Sequence, residues 1–133
     1  MILGIGLDLC EIERMKRAVE KPRFVDRVFT AAEAARIRAA AEGRAAEIAA
    51  GLFAAKEAVA KALGTGFAGF GPGDIEITPD IAGRPLCALY EGARARANAL
   101  AGPYKPRIWV SVTHEKGMAA ATAVIEGEAQ GTP

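Results

Sequence analysis

The longest element that the sequence predicts is a helix over about residues 44–63, and a chain of 133 residues must be built around it. Gly43 precedes this helix, and Gly64 is a natural helix stop. At 100° per residue, its larger apolar residues fall on one arc, which predicts the stripe that packs on the core. These residues are Ile48, Leu52, Val59 and Leu63.

The first twelve residues alternate in polarity and predict a strand with one packed face. The expected core face carries Leu3, Ile5, Leu7 and Leu9. On the opposite face, Gly4 and Gly6 are expected to leave open space beside Asp8.

The rest of the chain alternates short helices and strands without the regular crossovers of a parallel sheet. Thr30 and Glu33 form a capping-box pattern at the start of a helix. Helices are predicted over about residues 13–20, 31–41 and 90–101, and strands over 74–78, 86–88, 107–113 and 118–125. We therefore predict an α+β fold, a mainly antiparallel sheet with the long central helix packed on it. Residues 1–126 are expected to form one domain, and residues 127–133 a disordered tail.

Composition excludes several classes of protein. The net charge is +1, so no overall basic field indicates nucleic acid or a membrane surface. The longest apolar run, residues 1–7, is too short to span a bilayer. Cys10 and Cys87 lie in no CxxC pair, which favours two buried thiols in a cytoplasmic protein. The 30 alanines bury little area each, so association into an oligomer is expected to add stability.

Two acidic residues are candidates for chemistry. Glu57 lies four residues before Lys61, which is either a solvated pair or, because alanines surround it, a surface that a ligand can approach. Asp8 lies in an apolar strand, where it serves as a cap, joins an internal ion pair or binds a metal. Together Asp8 and Glu57 could supply two oxygens to Mg²⁺. Lys56 falls at the edge of the apolar arc, where snorkelling would keep its charge in water.

Three further features each have a plain and a functional interpretation. The glycine-rich loop, residues 64–73, is either a flexible connector or a source of backbone N–H groups for an anion. His114, the only histidine, is expected at a hairpin turn, where it is either solvated or a catalytic or phosphate-binding side chain. Residues 14–27 contain six cations and two acids, which form either a solvated helix face or a docking surface for an acidic partner.

Six motifs in order along the chain carry a resemblance to a known family. They are GIGLDLCEIERM (4–15), RVFTAAE (27–33), FAAKEAVAKALGTG (53–66), DIEI (74–77), GRP (83–85) and SVTHEKGMAAATAVIE (111–126). This order resembles the holo-acyl-carrier-protein synthases, the short bacterial type of 4′-phosphopantetheinyl transferase, over nearly the whole chain. The resemblance implies transfer of phosphopantetheine from CoA to a serine of an acyl carrier protein. It also implies Mg²⁺ as cofactor and a homotrimer with active sites between subunits.

The resemblance also assigns roles to residues. It implies that Asp8 and Glu57 bind Mg²⁺ and that they and Lys61 form the catalytic group. The residues implied to bind CoA are Lys61, Thr65, Gly66, Arg84, Thr113 and His114. Those implied to contact the carrier protein are Arg14, Arg17 and Phe24.

The sequence departs from the family pattern at three positions. Leu52 stands where many relatives carry an arginine, Arg84 replaces a common lysine, and Met118 replaces a usual aromatic residue. Two alternatives to the transferase remain: another Mg²⁺-dependent enzyme acting on a nucleotide or phosphate, and a non-catalytic interaction subunit. The second is disfavoured because Asp8, Glu57 and Lys61 are all present.

Overall fold

The computed structural model describes residues 1–131 as five helices and five strands. The helices are α1 (Ile12–Ala18), α2 (Pro22–Val28), α3 (Ala31–Ala39), α4 (Arg44–Ala62) and α5 (Glu91–Ala101). The strands are β1 (Ile2–Glu11), β2 (Ile75–Pro79), β3 (Pro85–Leu89), β4 (Lys105–Glu115) and β5 (Met118–Glu128). The predicted α+β class is confirmed, as is the capping box of Thr30 and Glu33 at the start of α3.

All strand pairs are antiparallel, and they form two sheets, β1-β5-β4 and β2-β3. The hairpin between β4 and β5 turns on Lys116 and Gly117 alone, both with positive φ. This turn is shorter than predicted, so His114 lies in strand β4 opposite Ala119 rather than in a turn. A two-residue turn with two positive φ angles matches the twist of an antiparallel pair.

Helix α4 is buried on nearly all sides, which differs from the single packed stripe predicted for it. Leu52, Val59 and Leu63 are buried as expected. The alanines on the remaining faces are buried too, because the three-stranded sheet, α1, α3 and β2 all pack around this helix. These alanines are Ala46, Ala49, Ala50, Ala54, Ala55, Ala58, Ala60 and Ala62.

The predicted faces of β1 are wrong. The glycine face packs on α4: a Cβ added at Gly6 would lie 1.9 Å from the Ala58 carbonyl oxygen, and one at Gly4 would lie 1.9 Å from that of Ala62. The backbones of strand and helix therefore touch, and no open space remains there. The apolar face points outward, with Ile5 70%, Leu7 60% and Leu9 63% exposed.

Lys56 does not snorkel, because it is wholly buried beside a wholly buried acid. Its Nζ lies 2.6 Å from Glu33 Oε1 and donates hydrogen bonds to the carbonyls of Pro72 and Ile75. Glu33 also accepts from the backbone N–H groups of Thr30 and Ile77. Every polar atom of the pair thus has a partner, which is the condition for retaining charges in a core.

The end of β5 and the presence of α2 also differ from expectation. Strand β5 continues to Glu128, because the Gly127 N–H donates to the Met1 carbonyl at 2.7 Å and Glu128 pairs with Lys105. The tail therefore begins two residues later than predicted, and its last two residues lie outside the described part of the chain. Helix α2 was missed, since its seven residues are too few to show a helical period.

Both thiols are free; Cys10 is buried as predicted, whereas Cys87 is only partly buried. Burial raises the pKa of Cys10, and it raises the pKa of Cys87 to about 12. Both thiols therefore stay protonated at neutral pH.

Candidate functional site

Asp8 and Lys61 meet where β1 crosses the carboxyl-terminal half of α4. Lys61 Nζ lies 3.1 Å from Asp8 Oδ1 and donates to the Leu7 carbonyl at 3.0 Å. Gly6 allows Asp8 and Lys61 to meet. Because glycine has no side chain, the backbone of β1 packs directly on the backbone of α4 two residues before Asp8. The Asp8 carboxylate is 18% exposed and the Lys61 side chain 53%, so the pair remains accessible to a ligand.

Glu57 belongs to the same cluster, one helical turn before Lys61. Its pKa is raised, first by partial burial and then by the negative charge of Asp8, while Lys61 and Arg14 act in the opposite direction. Two carboxylates that repel each other favour either a proton or a bound cation between them. The structure thus brings together all three predicted catalytic residues.

The donor set of this cluster fits Mg²⁺ better than zinc. Magnesium commonly binds through one or two carboxylates and leaves its other positions to water and phosphate oxygens. Zinc sites take three or four protein ligands. Within residues 1–131, no group of three or more histidine, cysteine, aspartate or glutamate side chains could hold a metal. Asp8 and Glu57 are the residues that would bind the ion.

Thr65 and Gly66 lie just beyond the carboxyl-terminal end of α4, four and five residues after Lys61. The Thr65 hydroxyl donates to the Gly66 carbonyl at 3.0 Å, and Gly66 has a φ of 60°. Gly66 has no other atom within 4 Å of the place where a Cβ would stand. The start of the glycine-rich loop is therefore open to a ligand.

His114 lies in a different place, against the amino-terminal half of α4. Its Nε2 lies 2.9 Å from the Glu47 carbonyl, and a Cβ on Gly51 would lie 3.0 Å from that nitrogen. A cavity of about 270 Å³ opens beside it, and its lining includes Arg36 and Arg44 but none of the three clustered residues. Within one chain, His114 therefore does not meet the Asp8 cluster.

Arg36 and Arg44 were missed by the sequence reasoning. Neither arginine stands in a motif or at a spacing that indicates a site. Only the packing of α3 and α4 beside β4 brings these two cations to the His114 cavity. Leu52 lines the same cavity, where it contributes an apolar wall.

Arg84 lies in the turn between β2 and β3. Its backbone N–H donates to Asp80 Oδ1 at 2.9 Å, and its guanidinium lies 4.8 Å from the centre of the Trp109 ring. Arg107 lies 4.2 Å from the same ring. A planar guanidinium stacks on indole in a way that a lysine ammonium cannot, which is the physical consequence of this departure from the family pattern.

Thr113 and His114 point to opposite faces of the sheet, because successive side chains alternate along a strand. His114 shares the face that packs on α4. Thr113 lies on the outer face, on the same side of β4 as Trp109. A single bound molecule within one chain would have to cross the end of β4 to contact both side chains.

The three predicted docking residues lie on α1 and α2. Arg14 and Arg17 are exposed, whereas Phe24 is half-buried, with its ring 6.1 Å from those of Phe29 and Phe53. All six cations of this segment are exposed, and in the described residues none is within ion-pair distance of an acid. We call this the basic surface; it comprises Arg14, Lys16, Arg17, Lys21, Arg23 and Arg27.

No helix in the described residues has the length and apolar character needed to cross a bilayer.

Comparison with known proteins gives a consistent result. A family model described as the 4′-phosphopantetheinyl transferase superfamily matches residues 4–123. A holo-[acyl-carrier-protein] synthase of Clostridium acetobutylicum is 44% identical over 127 residues, which covers 95% of this chain and 98% of the relative. The same enzyme of Solidesulfovibrio magneticus is 46% identical over 131 residues, covering 96% and 100%. A crystal structure of a holo-(acyl-carrier-protein) synthase from Bacillus anthracis in complex with CoA (3′,5′-ADP) is similar with a TM-score of 0.80 and 31% identity, covering 96% and 99%.

Proposed function

This chain belongs to the 4′-phosphopantetheinyl transferase superfamily, and we propose that it is a holo-acyl-carrier-protein synthase. It transfers 4′-phosphopantetheine from CoA to a serine of an apo acyl carrier protein and releases adenosine 3′,5′-bisphosphate. The reaction depends on Mg²⁺ and takes place in the cytoplasm, where it supports fatty acid or polyketide biosynthesis. The observation that carries this proposal is the meeting of Asp8, Glu57 and Lys61 where β1 crosses α4.

The chemistry required of this site is attack by a serine oxygen on a phosphorus atom that is already surrounded by negative charge. Asp8 and Glu57 would hold the magnesium ion, which would supply positive charge to offset the charge around that phosphorus. Lys61 adds a second positive charge, and its hydrogen bonds to Leu7 and Asp8 fix where that charge stands. A fixed positive charge stabilises the leaving phosphate without reorganisation of the site.

Glu57 or a water molecule beside it would accept the serine proton. The serine must be held in line with the bond that breaks, and this is a matter of positioning the carrier protein. The basic surface begins on α1, next to the cluster, since the charge of Arg14 acts on Glu57. An acidic carrier bound there would present its serine close to the two carboxylates.

A homotrimer would complete the site. The row of Ile5, Leu7 and Leu9 is too exposed for a chain that stays alone in water, because contiguous apolar surface usually marks an interface. We propose that neighbouring copies cover this face. His114, Arg84, Arg36 and Arg44 of one copy would then reach the CoA phosphates held at the Asp8 cluster of another, which accounts for their separation within one chain.

The test is mass spectrometry of an apo acyl carrier protein incubated with CoA, Mg²⁺ and this protein. The carrier should gain one phosphopantetheine group, and chelation of Mg²⁺ should prevent the gain. Several carriers from fatty acid and polyketide systems should be compared. If CoA is hydrolysed while every carrier keeps its mass, the protein is a different Mg²⁺-dependent phosphate enzyme. If neither CoA nor a carrier changes, the catalytic proposal is wrong.

A further inference from the structure

The glycine-rich loop is fixed to the core at its start, although its composition suggests a flexible connector. Arg96, on α5, donates from Nε to the Leu63 carbonyl at 2.8 Å. Its Nη2 also lies 3.4 Å from the place where a Cβ on Gly64 would stand. This guanidinium satisfies a carbonyl that the end of α4 leaves free, and it does so immediately before Thr65 and Gly66.

The middle of the loop rests on the start of α5. A Cβ on Gly92 would lie 2.3 Å from the Gly69 carbonyl oxygen and 3.0 Å from the Phe70 side chain. Phe67 and Phe70 meet edge to face, with ring centres 5.8 Å apart. The residue before Gly92, Glu91, has a φ of 47°, so the helix starts in a conformation that is uncommon for a residue with a side chain.

The far end of the loop is held by Lys56. Its ammonium donates to the carbonyl of Pro72, which begins the short turn Pro72–Asp74, and to that of Ile75, the first residue of β2. Glu33 neutralises the same ammonium from the opposite side. Lys56 directly precedes Glu57, so one turn of α4 carries both a proposed metal ligand and the anchor of the loop.

The opposite side of the loop is free. Apart from the adjacent residues in the chain, no atom lies within 4 Å of the positions where Cβ atoms would stand on Gly66, Gly69 and Gly71. The loop is thus fixed on its inner side and open on its outer side. A flexible connector would have no such fixed contacts on either side. Fixing a loop before a ligand arrives removes the entropy cost of ordering it during binding.

We propose that Arg96 and Lys56 are positioning residues that hold the glycine-rich loop in its binding conformation for CoA. This inference rests on the proposed function, because it takes CoA as the ligand at Thr65 and Gly66. Neither side chain needs to touch CoA. Arg96 fixes the first residues of the loop, and Lys56 fixes the last.

The first test replaces Arg96 by methionine and uses Arg94→Met as the matched control. Arg94 is on the same helix and makes the same type of bond, from Nε to the Leu89 carbonyl at 3.1 Å, away from the loop. Arg96→Met should raise the KM for CoA roughly tenfold and leave the carrier KM within about twofold, since only the preorganised loop is lost. Arg94→Met should change neither. Arg96→Lys should recover part of the loss, because an ammonium can still donate to the Leu63 carbonyl.

Hydrogen exchange gives a readout that does not depend on activity. In the free protein, amides of residues 64–74 should exchange about tenfold faster in Arg96→Met than in the wild type or in Arg94→Met, while those of β5 stay unchanged. Equal exchange in all three proteins, or an equal rise in both KM values, would overturn the inference. If the wild type transfers nothing but the exchange difference is found, the proposed function fails and the anchoring of the loop stands.

The second arm tests Lys56, whose removal alone leaves a buried carboxylate and can prevent folding. The double variant Glu33→Gln with Lys56→Met removes both charges and keeps the side-chain volumes similar. It should fold, exchange faster at residues 73–75, and show a raised KM for CoA with an unchanged carrier KM. A folded double variant with wild-type exchange and a wild-type CoA KM would exclude Lys56 from this role.

Discussion

Helix α4 carries two lysine–carboxylate pairs, five residues apart, in opposite environments. Lys56 and Glu33 are wholly buried, and each polar atom of the pair has a partner. Lys61 and Asp8 are 53% and 18% exposed, and Lys61 has one N–H donor left over. The first pair has no capacity for a further ligand, whereas the second has room for one.

The same two residue types therefore have different roles along one helix: the buried pair stabilises the core, and the exposed pair forms part of the candidate site. Burial lowers the pKa of Lys56, and Glu33 counteracts that effect. At the exposed pair negative charge is in excess, because Glu57 adds a second carboxylate beside Asp8, and its pKa is raised. Unmet negative charge at an accessible position is what a divalent cation would neutralise.

The largest expected effect comes from removing a carboxylate at the accessible pair. Asp8→Ala and Glu57→Ala should each lower the rate of transfer by about a thousandfold or more, because the metal loses half of its protein ligands. Circular dichroism and thermal unfolding should stay close to those of the wild type. Near-normal transfer by either variant at saturating Mg²⁺ would show that the two residues do not share a metal.

Removing the lysine of the buried pair should act on stability. Lys56→Met should lower the free energy of unfolding in urea by about 3–5 kcal/mol, because Glu33 is left with an unpaired buried charge. The double variant Glu33→Gln with Lys56→Met should lose clearly less. An equal loss in the single and double variants would mean that the charge pair is not the source of the effect.

The raised pKa of Glu57 predicts a dependence of stability on pH. A carboxyl group with a higher pKa in the folded protein stabilises the fold while protonated, and loses that contribution as pH rises from its ordinary value of 4.5 through the raised one. In Mg²⁺-free urea titrations, the wild type should therefore lose stability over this range relative to Glu57→Gln. Parallel pH profiles for the two proteins would contradict the shift.

The smallest effect is expected at the basic surface. Arg14→Glu should raise the carrier KM several-fold and flatten its dependence on salt, because an exposed charge acts mainly on association. The KM for CoA serves as the internal control and should change little. An unchanged carrier KM with an unchanged salt response would exclude this surface as the docking site.

Local patterns predicted most elements of the fold, because each has a signal within a few residues. The capping box placed the start of α3, and the alternation of residues 107–113 placed β4. Motif order led to Asp8, Glu57 and Lys61, which the structure brings together. The roles of these residues in catalysis and metal binding stay predictions, as do the roles assigned in CoA and carrier binding.

The errors come from tertiary packing, which no local pattern contains. The apolar row of β1 read as a core face, whereas the close contact of Gly4 and Gly6 with α4 turns that row outward. Lys56 read as a surface residue because its partner, Glu33, is distant in sequence. The predicted turn begins at His114, whereas the turn in the structure comprises only Lys116 and Gly117, so His114 belongs to β4.

The contact of Gly4 and Gly6 with the carbonyls of α4 also determines how the site can tolerate mutation. Where two main chains touch, the radii of their backbone atoms set the separation. A side chain at Gly4 or Gly6 would push strand and helix apart and would change the spacing of the two acids. The buried alanines of α4 are equally constrained, because they leave no volume for larger side chains.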